Sequence, residues 1–189
     1  MLSRYALQGP GLVSVPAVGL AGIVWIDLLE PTPDEEQAIE AQCGVDVPTR
    51  EEMREIESSN RLYEDAGAVY LTSTIVTKLD TDLPQHSQIT FILKDGILIT
   101  NRYTDPLPFR RYISYAERHA AVCNSGAAVL AGLIEAIINR VADVVERVSA
   151  DLDAISAEVF TRPSRHRRGG SHDFRAVLER VGQSGELIA

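Results

Sequence analysis

Two periods of apolar and polar residues run along this chain. The longer signal lies near the C-terminal end. Apolar residues recur at Ala127, Leu130, Ile134, Ile138, Val141, Val145, Val148, Leu152, Ile155 and Val159. After Ile138 the steps alternate three and four, the spacing that holds side chains on one face of an α-helix. Arg140, Asp143, Glu146, Arg147, Asp151, Asp153 and Glu158 fill the opposite face. No Gly or Pro interrupts from Leu133 to Arg162. A single helix from Ser125 to Thr161 would exceed about 50 Å at a rise of about 1.5 Å per residue. No small core is that long, so the helix is expected to lie against another helix, its own or another subunit's.

The first half of the chain carries shorter patterns. Leu12 to Val18 and Ile23 to Leu28 predict strands around a Gly19–Gly22 turn. Thr32-Pro33-Asp34-Glu35 predicts a helix start, with Thr32 as N-cap, Pro33 in the first turn and Glu35 completing a capping box. That helix should turn Ala38, Ile39 and Ala41 inward and end at Gly44. Thr49 and Glu52 form a second box, opening a short helix to Glu57. Arg61 to Glu64 alternates like an edge strand, and Val69 to Leu79 is rich in β-branched residues. Asp80 to His86 predicts a polar loop. Ile89 to Leu93 and Ile97 to Thr100 flank Asp95-Gly96, a strong hairpin turn. Asp105-Pro106 opens a helix through Phe109, Tyr112 and Tyr115, and a break falls at Cys123 to Gly126.

These elements predict an α/β (α+β) fold in two parts. Residues 1–112 form a mixed β-sheet layered with helices. Residues 113–189 form a long antiparallel helical hairpin arm, a form of coiled coil. Its long helix covers about 125–161, stopping before Pro163. A basic turn covers 162–172, and a second helix covers about 173–187, with Phe174, Val177, Leu178, Val181 and Leu187 on its apolar face.

Charge narrows the possible partners. The chain has 27 acidic residues against 18 Lys and Arg, a net charge of −9. That balance argues against nucleic acid and suits cations. Twelve acids fall between Glu30 and Asp65, opposed only by Arg50, Arg54 and Arg61. Cys43 and Cys123 show neither metal-knuckle spacing nor a disulfide framework, which fits a reducing compartment. The N-terminus is broken by Pro10 and Pro16 and is not expected to be a signal peptide. No run of about 18 apolar residues predicts a membrane span.

No GxSxG, P-loop, GxGxxG or HExxH motif occurs, so the chain is not expected to be an enzyme and no organic cofactor is implied. Asp80 and Asp82 stand two apart where a strand runs into a loop. Oxygen donors of this kind suit a hydrated Mg²⁺ or another hard cation, and a simple polar turn also fits them. His86 lies nearby and would suit Zn²⁺ or a solvated loop. Arg165, Arg167 and Arg168 would meet phosphate or an anionic membrane surface, or stay solvated.

Four stretches in order resemble the cytoplasmic N-terminal domain of the CorA-type magnesium and cobalt transporters, with the zinc-transporting branch close behind. They are Trp25-Ile26-Asp27-Leu28 with Pro33 to Glu36, Pro48 to Glu52 leading to Arg61 to Glu64, Ile89 to Leu93 with Ile97 to Thr100, and Leu133 to Ile138 running to Glu158 to Pro163. The resemblance implies a domain that senses intracellular metal and gates a pore for Mg²⁺ or Co²⁺, with Zn²⁺ as the alternative ion. It implies a homopentamer at the cytoplasmic face of the cell inner membrane. The stalk and transmembrane helices of the family have no counterpart here, so membrane contact is expected only through segments that would follow Ala189. The family's regulatory acid carries over to Asp80, with Asp82 beside it and the partner acid expected beyond Ala189. Asn139 and Arg140 occupy a second acidic pair of the family, a departure that argues against a second metal site. A soluble oligomeric scaffold without transport is the alternative from another class.

Overall fold

The turn at Asp95-Gly96 sets the middle of the molecule. Both residues have positive φ, 49° and 78°, the backbone twist that joins antiparallel strands in a two-residue hairpin. In the computed structural model, which describes residues 1–16, 19–57, 60–77 and 85–161, this hairpin joins β6 (Gln85–Lys94) to β7 (Ile97–Arg102). The other strands are β1 (Leu2–Gln8), β2 (Gly11–Ser14), β3 (Ile23–Leu29), β4 (Leu62–Asp65) and β5 (Ala68–Thr77). Together they form one seven-stranded sheet in the order β2-β1-β3-β7-β6-β5-β4. β3 runs parallel to β7, while the β1–β2, β1–β3, β4–β5 and β6–β7 pairs are antiparallel. The mixed sheet with helices is the expected fold class.

Helices cover both sheet faces. α1 (Pro33–Cys43) and α2 (Arg50–Glu55) begin where their caps predict. The Thr32 hydroxyl accepts the Glu35 N–H at 3.3 Å, and the Glu35 carboxylate accepts the Thr32 N–H at 3.0 Å. Thr49 and Glu52 repeat the arrangement. Each box satisfies backbone donors that a helix start leaves open. Ile39 is the buried anchor of α1; Ala41, expected inside, is exposed because α1 presents only a narrow edge to the sheet. Ile39 packs with Ile26, Leu28, Tyr70, Ile92 and Ile99 on one sheet face. On the other face α3 (Leu107–Ala116) lays Phe109 and Tyr112 over Trp25 and Phe91. α4 (Gly126–Thr161) adds Val129 and Leu133 there.

Some elements differ from the sequence expectation. β1 has no counterpart in the pattern: Ser3, Arg4 and Gln8 dilute its apolar signal, yet it pairs on both sides. β6 starts at Gln85, so Gln85 and His86 are strand rather than loop. The long helix forms over the expected residues, but its burial follows the counted stripe only in part: Val148 and Ile155 of that stripe are buried, and Val129, Leu133 and Val144 beside it are buried too. Two compact units divide the chain, Met1–Thr77 with His86–Ile137 and Lys78–Gln85 with Ile138–Ala189. Within the first, α4 buries Val129 and Leu133, with Leu130, Ala136 and Ile137 partly covered. Within the second, Val144, Val148 and Ile155 are buried, whereas Ile138, Val141, Val145 and Leu152 are exposed. The helix is apolar over more than one stripe, and spacing alone does not say which stripe a neighbour takes. The expected second arm helix lies outside the described residues.

The root of α4 sits against backbone. The Gly126 N–H donates to the Gly96 carbonyl at 2.8 Å, and a Cβ on Gly126 would collide with the backbone of Ile97 and Leu98. Gly126→Ala should therefore lower stability by roughly 1–3 kcal/mol, as overpacking does. Gly19, whose added Cβ would meet nothing within 4 Å, is the control. Chemical denaturation of both alanine variants checks the difference.

Candidate functional site

The C-terminal ends of the parallel strands β3 and β7 hold a buried polar network. Asp27 and Thr100 face one another in the β3–β7 register. Trp25 Nε1 donates to Thr100 Oγ1 at 3.0 Å, and Thr100 Oγ1 donates to Asp27 Oδ1 at 2.7 Å. Arg102 adds a two-pronged bond, Nε to Oδ1 at 2.9 Å and Nη2 to Oδ2 at 2.7 Å. Asp27 and Arg102 are only 2% and 3% exposed. Arg102 Nη1 also donates to the Thr104 carbonyl and to Asp105, and the guanidinium lies 4.6 Å from the Phe109 ring centre. Burial works to discharge Arg102. The hydrogen bonds and charges of Asp27 and Asp105 outweigh it and hold the guanidinium above its usual value. Fork-to-carboxylate geometry of this kind is what allows a charge pair to persist inside a protein.

Beyond the network, Thr104 reaches the start of β6. β5 ends at Thr77 and β6 resumes at Gln85. The Thr104 hydroxyl donates to Ser87 on β6 at 3.1 Å. Asp80 and Asp82 fall between β5 and β6 in the chain and lie outside the described residues. So do Arg165, Arg167 and Arg168. His86 is an exposed residue of β6, and Asn139 and Arg140 lie on α4. Among the described residues no group of three or more His, Cys, Asp or Glu is placed to hold a metal ion. Among them, too, no helix is long and apolar enough to cross a membrane.

A second polar region follows α1 and α2. Tyr103 donates to Glu36 at 3.1 Å, and Arg50 lies over the Tyr103 ring. Burial raises the Glu36 carboxyl, and the charges of Glu40 and Glu52 raise it further against the Tyr103 bond. Burial likewise raises Asp46, helped by Glu40, Glu52 and Asp65. The charges of Glu40, Glu52 and Asp65 thus all bear on Asp46 at this end of the sheet. Beneath them, the wholly buried Asn101 donates to the Pro48 carbonyl at 2.8 Å, while its Oδ1 has no hydrogen-bond partner among the described residues. Asp27 stood out in the sequence only beside Trp25. Arg102 was missed; its one signal is a charge closing the apolar strand Ile97 to Asn101.

Comparison with known proteins bears on this geometry. Residues 21–178 match the family described as CorA-like Mg²⁺ transporter protein. The chain is 31% identical over 163 residues to the magnesium transport protein CorA of Salmonella typhimurium, a match covering 85% of this chain and 52% of that protein. The chain thus spans about half the length of the curated relatives it matches. The complete CorA magnesium transporter of Methanocaldococcus jannaschii shares the fold, with a TM-score of 0.68 at 12% identity over 97% of this chain and 55% of that one. The ZntB cytoplasmic domain from Vibrio parahaemolyticus does so at 0.61 and 12% identity, over 96% of this chain and 72% of that one.

Removing one partner of the buried pair leaves the other charge uncompensated. Asp27→Ala or Arg102→Met should each lower stability by about 3–5 kcal/mol, read by denaturant titration. Asp46 behaves in the opposite sense. Its folded carboxyl binds a proton more tightly than the unfolded one, so stability rises as pH falls through that folded value. At neutral pH the charge is a burden. Asp46→Asn should raise the thermal midpoint at pH 7, and the gain should vanish in acid.

Proposed function

This chain belongs to the CorA family, a family of transporters and not of enzymes, and on that footing we propose that it is the cytoplasmic cation-sensing domain of a membrane transporter whose cargo is Mg²⁺. The observation that carries the reading is the 31% identity to a magnesium transport protein over 85% of the chain. In this reading the whole protein is a homopentamer at the inner membrane. Residues 113–189 form its helical arm, and the pore lies in segments beyond this domain. Mg²⁺ is preferred over Co²⁺ and Zn²⁺ because the chain's candidate donors are carboxylate oxygens, which suit a hard cation.

Asp80 and Asp82 are the proposed regulatory acids. They follow β5 and precede β6 in the chain, and Arg102, Thr104 and Ser87 brace the neighbouring strand ends. Two carboxylates brought to 4 Å across a subunit boundary repel by about 4 kcal/mol at an effective dielectric near 20. Mg²⁺ between them would remove that repulsion and hold the subunits together with the pore closed. Loss of Mg²⁺ would restore it, and several copies acting together would bias a two-state gate. Arg165, Arg167 and Arg168 are proposed to face the anionic membrane surface.

The test uses the full-length protein in liposomes. Mg²⁺ should protect the wild type from limited proteolysis. Asp80→Ala and Asp82→Ala should shift that protection to higher Mg²⁺. Protection unchanged in both variants removes these acids from the mechanism. Mg²⁺ uptake that fails in the wild type removes the transport reading itself.

A further inference from the structure

The short strand β4 leaves one edge of the sheet open. Every residue of β4 is exposed, and among the described residues no strand pairs with its outer side. β4 returns into β5 through Ala66 and Gly67, both at positive φ, with Asp65 opposite Ala68. A two-residue turn of this kind closes on a hydrogen-bonded pair. The Thr72 N–H donates to the Arg61 carbonyl at 2.8 Å, which keeps the same phase at the other end of the ladder. Tyr63, opposite Tyr70, falls in phase with both. The backbone N–H and C=O groups of Leu62 and Glu64 therefore point away from β5, toward the open side.

The two faces of this edge differ. On one, Tyr63 stacks on Tyr70 with ring centres 4.6 Å apart, yet remains 40% exposed. Burial and Tyr70 raise the Tyr63 hydroxyl first, and the charges of Asp46, Asp65 and Glu52 raise it further, so three carboxylates bear on this ring. Residues 46–65 hold seven acids against Arg50, Arg54 and Arg61. An open tyrosine ring among carboxylates suits a guanidinium or an ammonium. Side chains alternate along a strand, so the opposite face carries Leu62, 64% exposed, and Val69, 40% exposed and paired across from Glu64.

We infer that β4 is a docking edge for an extended segment of another protein in which basic residues alternate with apolar ones. The guest adds a strand to the seven-stranded sheet. Its backbone meets Leu62 and Glu64. Its basic side chains lie over Tyr63 among the carboxylates, and its apolar side chains cover Leu62 and Val69. The β4 edge of a second copy does not fit, because it would set Glu64 and Asp65 against like charges. The acids thus discourage the edge from pairing with itself and select a basic guest. The edge uses neither Asp80 nor Asp82, so the inference stands or falls apart from the ion-sensing reading.

The experiment uses the whole chain, residues 1–189, and a fluorescein-labelled short peptide of alternating Arg and Val, read by anisotropy. The peptide should bind, more weakly as salt rises, and a peptide with Glu in place of Arg should not. Tyr63→Leu should weaken binding about twofold to fivefold. Glu64→Pro removes an outward N–H that the β4–β5 ladder does not use, and should weaken it about fivefold. Unchanged emission of Trp25, the single tryptophan, reports that both variants are folded. A further arm needs no variant. Alternate N–H groups of a guest strand face β4 and solvent, so N-methylating either the valines or the arginines of the peptide should cost at least about tenfold, while methylating the other set should not. No binding by the Arg–Val peptide, equal effects of the two methylation patterns, binding indifferent to Tyr63→Leu, or full displacement by spermine at equal charge overturns the inference.

Discussion

A buried carboxylate and a buried guanidinium meet where the sheet changes character. β3 and β7 form the parallel pair at its centre, joining the antiparallel β2-β1-β3 ribbon to the β7-β6-β5-β4 ribbon. Asp27 and Arg102 tie these ribbons together from the two sides of that junction. A carboxylate inside a protein is costly unless paired and hydrogen-bonded. Asp27 meets that condition through Arg102 and Thr100, and Thr100 in turn receives the Trp25 indole. The network thus fixes strand register as well as charge. A slip of one residue would turn Thr100 and Arg102 toward the opposite face.

From that junction the layers follow. Trp25 shares its face with the network, and Phe109 and Tyr112 of α3 pack on it. Arg102 lies over Phe109 while reaching Asp105 just before α3. The start of α3 is therefore held by charge as well as by apolar contact, which matters because its N-cap, Pro106, makes no side-chain cap. Tyr112 then reaches the Val122 carbonyl, and Gly126 reaches Gly96. The chain enters α4 already bound to the hairpin that the sheet centre organises.

Charge is distributed with the same economy. At the α1, α2 and β4 end, burial and then the charges of Glu40, Glu52 and Asp65 raise the Asp46 carboxyl. Arginines collect on and beside α3.

Much of the fold was legible in the chain because its signals are local. The capping boxes at Thr32 and Thr49, the Asp95-Gly96 turn and the period of the long helix each act within a few residues, and each formed where the pattern placed it. The acids Asp80 and Asp82 lie outside the described residues, and nothing local in the sequence says what faces them. Three things were decided only in three dimensions. β1 became a strand by pairing on both sides in spite of its polar residues. α4 turned Val129 and Leu133 to the sheet, leaving Ile138, Val141 and Val145 of the counted stripe exposed. Asp27 found Arg102 across 75 residues. Periodicity records what a helix or strand could bury, but the choice of neighbour depends on which surfaces the whole sheet brings together.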